Sequence, residues 1–167
     1  MEIERKFLIN KIPFNLNEYE CFVLEQAYIS TNPVIRVRKK INTDEKYILT
    51  IKSSGMMTRQ EYELDIDKAA YENLLKKAEG NIITKNRYII PLDNSLILEL
   101  DIFKGIFDGL IMGEIEFPDE ETAKKYTPPA YISEEVTYDK RFHNSNMSSM
   151  SHEEISDLNI FAKRIKR

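Results

Sequence analysis

The sequence predicts an α+β protein that is mainly β, an eight-stranded antiparallel closed β-barrel with a few flanking helices. Three observations carry that prediction. Segments in which apolar and charged residues alternate recur about eight times along the 167 residues, and period two is the signature of a strand with one apolar face. The segments are short and separated by turn residues, as in antiparallel sheets. Few helical patterns interrupt them, too few for alternating strand–helix units. Closing such a sheet removes the free edges that invite aggregation.

The elements follow in order. Residues 2–9 form the first strand, with Glu2, Glu4 and Lys6 on one face and Ile3, Phe7 and Ile9 on the other. A short helix spans Asn15 to Glu20. Strands at about 22–30, 34–41 and 46–53 follow, and Asn42-Thr43-Asp44-Glu45 connects the last two as a hairpin. Ser53-Ser54-Gly55 ends the fourth strand, and the fifth covers 59–66. A helix is expected over 67–79, with Asp67 as N-cap, Gly80 as its stop, and Tyr71, Leu74, Leu75 and Ala78 along one face. Strands at 83–90 and 96–103 are joined by Asp93-Asn94-Ser95, and the stretch Gly105 to Gly109 leads to the eighth at 112–117. Asp119 caps a short helix that ends before Pro128-Pro129. A last helix, about 151–166, starts at a Ser151/Glu154 capping box, with Ile155, Leu158, Ala162 and Ile165 as its apolar stripe. It is expected outside the barrel or at one end of it. No linker or repeat divides the chain, so one domain over 1–167 is expected.

Composition narrows the function classes. Apolar residues make up 42% and charged residues 31%, a globular balance without a run of about 18 apolar residues for a membrane span. The start lacks the basic-then-apolar pattern of a secretory signal, and the single cysteine, Cys21, has no intrachain partner; both lead us to expect a cytoplasmic protein. With a net charge of −4, no nucleic-acid partner is expected. Any anion site must come from local organisation of the 24 Lys and Arg residues. No P-loop or GxGxxG pattern offers a backbone cradle, so side chains must do that work.

The charged faces are the main signal. After the first strand come Arg36, Arg38 and Lys40; Thr50 and Lys52; Arg59, Glu61, Glu63 and Asp65; Lys85 and Arg87; Glu99 and Asp101; and Glu114 and Glu116. Any one of these reads as the solvated face of an ordinary sheet. Seven together do not, because their middles are almost purely ionisable. The signs also separate, with Arg36, Arg38, Lys52, Lys85 and Arg87 on one side and Glu99, Asp101, Glu114 and Glu116 on the other. Inside a barrel, bare charges cost several kcal/mol each. A wet lumen holding a polyanion and divalent cations removes that cost. Arginines grip phosphate oxygens bidentately, and carboxylates hold a hard cation, Mg²⁺ or Mn²⁺. Neither a thiolate nor an imidazole cluster is present for zinc or iron.

These motifs resemble the CYTH, or triphosphate tunnel metalloenzyme, family, and within it the short bacterial inorganic triphosphatases. Glu2-x-Glu4-x-Lys6 matches its ExExK signature. In order follow Arg36-x-Arg38, Thr50-x-Lys52-x-x-Gly55, Arg59-x-Glu61, Lys85-x-Arg87-Tyr88, Glu99-x-Asp101 and Glu114-x-Glu116, with Val136 to Asn146 as a closing segment. The resemblance implies an eight-stranded tunnel that hydrolyses or cyclises triphosphates. It implies Glu2, Glu4, Asp101, Glu114 and Glu116 as metal ligands, with Glu99 either a ligand or the partner of a lumen base. Lys6, Arg36, Arg38, Lys52, Arg59, Lys85 and Arg87 become triphosphate ligands, and Tyr28 with Lys52 a catalytic dyad. The expected reaction is metal-dependent hydrolysis of inorganic triphosphate, with nucleoside triphosphates as poorer substrates. A class IV adenylyl cyclase, a thiamine triphosphatase and a non-catalytic polyphosphate- or nucleotide-binding module stay open as alternatives. No membrane partner is expected, and the chain is expected to be a monomer or homodimer.

Weaker signals remain. His143 and His152 have no metal-ligand spacing and read as solvated. Lys140 and Arg141 lie in the closing segment, within reach of a tunnel mouth. The basic residues Lys163, Arg164, Lys166 and Arg167 complement a helix C-terminus.

Overall fold

The alternating segments form strands, in the expected order. A computed structural model describes residues 1–165. Its strands are β1 (Glu2–Ile9), β2 (Glu20–Thr31), β3 (Val34–Ile41), β4 (Glu45–Lys52), β5 (Thr58–Arg59), β6 (Glu61–Ile66), β7 (Glu79–Pro91), β8 (Ile97–Phe103), β9 (Ile111–Glu116) and β10 (Ile132–Glu135). The helices are α1 (Lys68–Leu75), α2 (Glu120–Lys125), α3 (Asn144–Met147) and α4 (His152–Ile165), with a 3₁₀ turn at Leu16–Glu18 where the first short helix is predicted. All strand pairs are antiparallel, in the order β10-β1-β9-β8-β7-β2-β3-β4-β6. None of the described helices is long and apolar enough to cross a membrane.

The strand count departs from eight in two places. The predicted strand over 59–66 is broken at Gln60. There the backbone N–H donates to Ser53 Oγ at 2.8 Å and the carbonyl accepts from the Ser53 N–H at 2.9 Å. The two pieces therefore pair differently: β5 with β1 (Glu2 opposite Arg59) and β6 with β4 (Lys52 opposite Glu61). This one segment bridges the gap between β4 and β1 and nearly closes the barrel. β10 is the second departure. Its four residues are too few to register as an alternation, and it pairs with the far end of β1.

The helix predicted over 67–79 is also shorter. Asp67 caps it, accepting from the Ala70 N–H at 2.7 Å. Its last turn tightens through Lys77 and Ala78, whose N–H groups reach back three residues. Gly80 does not stop the helix but lies in β7 at φ 80°. A Cβ there would sit 2.1 Å from the Ser148 carbonyl oxygen, and next to it the Asn81 N–H donates to that oxygen at 2.6 Å. Only glycine lets the later chain approach so closely. The capping box of α4 forms as predicted, with reciprocal Ser151 and Glu154 bonds of 3.2 Å.

Apolar clusters hold the barrel from outside and at one end. Phe7, Ile9, Leu98, Leu100 and Ile115 form one outer cluster with Ala123 of α2. Arg5 lies on this outer side and donates to the Ala123 and Tyr126 carbonyls at 2.8 and 2.7 Å, which satisfies the end of α2. Ala27, Val37 and Tyr47 pack under Tyr71 of α1. The third cluster decides the shape of the lumen. Along β1, β7, β8 and β9 the inward face changes from charged to apolar in one direction: Lys6 gives way to Leu8, Lys85 to Ile83, Asp101 to Phe103 and Glu114 to Met112. Those apolar ends pack with Phe142, Met147 and Met150 and with Ile155, Leu158 and Ala162 of α4. The barrel is stoppered there by its own C-terminal segment.

Candidate active site

The remaining lumen is a cavity of about 530 Å³, within the usual range for small-ligand sites. Glu2, Glu4, Lys6, Tyr28, Arg36, Arg38, Lys52, Arg59, Lys85, Arg87, Glu99, Glu114 and Glu116 all line it. Strand register brings them together. Glu4 faces Glu116 and Lys6 faces Glu114 across β1 and β9; Glu99 faces Glu114 across β8 and β9; Tyr28 faces Arg36 across β2 and β3.

Asp101 is the exception. It is 0% exposed and does not line the cavity. Both its oxygens are taken: Arg87 Nε and Nη2 donate at 2.7 and 2.8 Å, and Lys85 Nζ lies 2.7 Å away. This differs from the metal-ligand placement expected for it. The physical reason is the register, which sets Asp101 directly opposite Arg87. Arg87 also bonds Glu99 and, through Nη2 at 3.1 Å, Glu114. The expected separation of charge is thus incomplete: the bases of β7 interleave with the acids of β8 and β9.

Arg36 and Arg38, on β3, are less compensated. Arg36 is buried and donates to Thr50 Oγ1 at 3.2 Å, while its Nε has no hydrogen-bond partner. Arg38 donates twice to Gln26 Oε1, at 2.9 and 2.7 Å. Burial, then Arg36 and Arg87, push its guanidinium down to about 9. Burial also lowers Lys85, to about 8, although Asp101 opposes the shift. Such crowding of buried cations is relieved by an anion.

The acidic wall shows the reverse. Burial and then the Glu114 carboxylate hold Glu4 well above the ordinary carboxylate range. Burial and a hydrogen bond with Glu61 raise Glu2, and burial and then Glu2 raise Glu116. Glu114 goes the other way, because Lys6, Arg87 and Lys85 together overcome its burial. Three crowded, desolvated carboxylates fit a hard divalent cation, which supplies the charge they lack. Among the described residues no three His, Cys, Asp or Glu side chains make a ready metal cage.

Tyr28 and Lys52 line the same cavity on different strands, with β3 between them. The Tyr28 hydroxyl accepts from Gln26 Nε2 at 3.3 Å. Lys52 Nζ donates to both Glu2 oxygens, at 3.1 and 3.2 Å, and lies 3.5 Å from Glu61. By register Tyr28 stands opposite Arg36.

Lys40, Glu61 and Glu63, which the alternation places on the charged faces without a ligand role, line the cavity as well. Asn144 carries no such signal. Its Oδ1 accepts from Lys85 Nζ at 2.8 Å and Gln26 Nε2 at 3.0 Å. His143, expected in solvent, lines the cavity instead, half-buried, with Nε2 2.9 Å from the Thr137 carbonyl oxygen. His152 is exposed as expected.

The chain thus forms a stoppered antiparallel barrel whose lumen gathers buried cations and crowded carboxylates. The CYTH domain matches residues 1–127, and the chain belongs to that family. It is 37% identical over 148 residues to an inorganic triphosphatase of Nitrosomonas europaea, covering 88% of this chain and 96% of that one. An inorganic triphosphatase of Acetivibrio thermocellus is 32% identical, covering 87% and 92%. The crystal structure of an inorganic triphosphatase superposes with a TM-score of 0.66 at 35% identity, covering 90% of this chain and 96% of that one. The family is metal-dependent in general.

Proposed function

We propose that this protein hydrolyses inorganic triphosphate to pyrophosphate and orthophosphate, with nucleoside triphosphates as poorer substrates. The observation that carries the reading is the pairing, in one cavity, of an under-compensated cationic wall with a wall of crowded carboxylates. The names of its relatives support the same reaction.

In this reading Lys6, Arg36, Arg38, Lys52 and Arg59 bind phosphate oxygens, and Arg36 Nε finds its missing partner there. Lys85 and Arg87 add positive charge at fixed positions, held by Asp101. A divalent cation, Mg²⁺ or Mn²⁺, held by Glu2, Glu4, Glu114 and Glu116 with Glu99 in reach, neutralises phosphate charge. Asp101 is left out of that set because its oxygens are already engaged. Water attacks the terminal phosphorus, the bond to the bridging oxygen breaks, and pyrophosphate departs with that oxygen. Catalysis of such a step is mostly positioning and charge stabilisation. Tyr28, opposite Arg36 on the neighbouring strand, orients the attacking water through its hydroxyl, and the proton of that water leaves on the orthophosphate formed.

The test is phosphate release with Mg²⁺ or Mn²⁺, comparing tripolyphosphate, ATP and thiamine triphosphate at equal concentration. Tripolyphosphate is expected to be consumed fastest. Tight binding of tripolyphosphate without any release in the presence of metal would overturn hydrolysis as the function.

A further inference from the structure

A second cavity, of about 420 Å³, lies beside the stoppered end of the tunnel. Three stretches of chain wall it: the β2–β3 turn, residues 53–56 after β4, and the 140–149 segment. Val34, Arg59, His143 and Ser145 line both cavities, so the two adjoin.

The chemistry of the two walls differs. The tunnel mixes acids with bases, whereas among the described residues no Asp or Glu lines the second cavity. Its charges are Arg59 and Lys140, surrounded by hydroxyl and amide side chains such as Ser53, Ser149 and Asn146. An acid-free wall is notable in a chain with 28 acidic and 24 basic residues. Lys140 is exposed to solvent. The His143 ring is fixed, because a carbonyl oxygen can only accept and Nε2 must therefore carry the proton bonded to Thr137. Lys140 with these hydroxyls and amides, and Arg59, whose Nε lies 3.4 Å from Glu2 of the tunnel, form a donor set for a phosphate dianion.

We propose that this cavity is a second phosphate site, reached from the tunnel past Arg59 and His143. It takes the orthophosphate released in the tunnel, or the next phosphate group of a linear polyphosphate longer than three. The inference rests on the triphosphatase reading. It gives Lys140 a role that the tunnel chemistry does not use.

Inhibition of tripolyphosphate hydrolysis by orthophosphate tests it. Phosphate bound in the second cavity leaves the tunnel open to substrate, so mixed inhibition is expected. Lys140→Glu is expected to raise the inhibition constant about 5-fold, the scale of one exposed charge contact. Purely competitive inhibition with a constant unchanged in Lys140→Glu overturns the proposal. Turnover of tetrapolyphosphate separates the two sources. A selective fall in the variant assigns the cavity to the longer chain, and a raised inhibition constant alone assigns it to released orthophosphate. A direct measurement keeps the inference separate from the function reading. Inorganic phosphate titrated into metal-free protein is expected to shift the backbone amides of residues 53–56 and 145–149. Should tripolyphosphate never be hydrolysed, the function reading fails and these shifts still decide the site. Their absence at saturating phosphate overturns it.

Discussion

Arg87 and Asp101 stand directly opposite each other on neighbouring strands, joined by two parallel hydrogen bonds of 2.7 and 2.8 Å. The same carboxylate holds Lys85 at 2.7 Å. One fully buried acid therefore compensates two buried bases, and it keeps both aimed along the tunnel wall.

Replacing that acid should cost stability more than metal affinity. Asp101→Ala leaves two desolvated cations short of a partner, and breaking such a pair costs about 3–5 kcal/mol. Urea unfolding measures the loss. Activity titrated against Mg²⁺ should keep its midpoint in whatever fraction stays folded. A midpoint moved tenfold with stability intact would return Asp101 to the set of metal ligands.

Arg36 predicts the opposite balance. Its Nε is buried without a partner, so the guanidinium adds little to the empty fold. Arg36→Gln should leave thermal stability unchanged or slightly higher. Loss of a charge-assisted bond of about 1.5–3 kcal/mol to phosphate lowers kcat/KM for tripolyphosphate roughly 10- to 150-fold. A variant with full kcat/KM removes Arg36 from the substrate site.

For Tyr28 the split between kcat and KM is the test. A group that handles the attacking water acts in the transition state, so Tyr28→Phe should lower kcat by about 10²-fold or more with KM nearly unchanged. Its hydroxyl accepts a long bond from Gln26, at 3.3 Å, and the fold should survive. Equal turnover by the Phe variant would return Tyr28 to an ordinary wall residue.

Away from the tunnel, Tyr71 gives a pH prediction. Burial and its 2.8 Å bond to Glu25 push the phenol well above its ordinary value of 10.0. A folded pKa above the unfolded one means stability fully present below about pH 10 and lost as pH rises toward the folded value. Tyr71→Phe should therefore be less stable than the parent at neutral pH, by about 1–2 kcal/mol. That deficit should shrink above pH 10. Denaturation midpoints at pH 7.5 and 10.5 check both parts, and a constant difference would contradict the linkage.

Much of this was legible in the sequence because register turns spacing into geometry. Period two put Glu2, Glu4 and Lys6 on one face, and pairing with β9 set them against Glu116 and Glu114. What alternation cannot encode is which neighbour each charge meets. Arg87 looked like a free phosphate ligand until the β7–β8 register placed Asp101 across from it. The break at Gln60 was invisible for a similar reason, since it depends on a bond to Ser53, seven residues earlier. His143 and Asn144 sit in an irregular segment, where no periodicity says which way a side chain points.

The stopper lies at one end of the sequence as well as one end of the barrel. The charged strands are complete by Glu116, whereas Phe142, Met147, Met150 and the apolar stripe of α4 come afterwards. Depth and charge thus come mostly from different stretches of chain, which meet where His143, Asn144 and Ser145 reach the lumen. A change in the tail beyond Ser145 alters the depth of the chamber while the charged strands stay as they are. Within such a barrel, selection on substrate length has its own stretch of chain to act on.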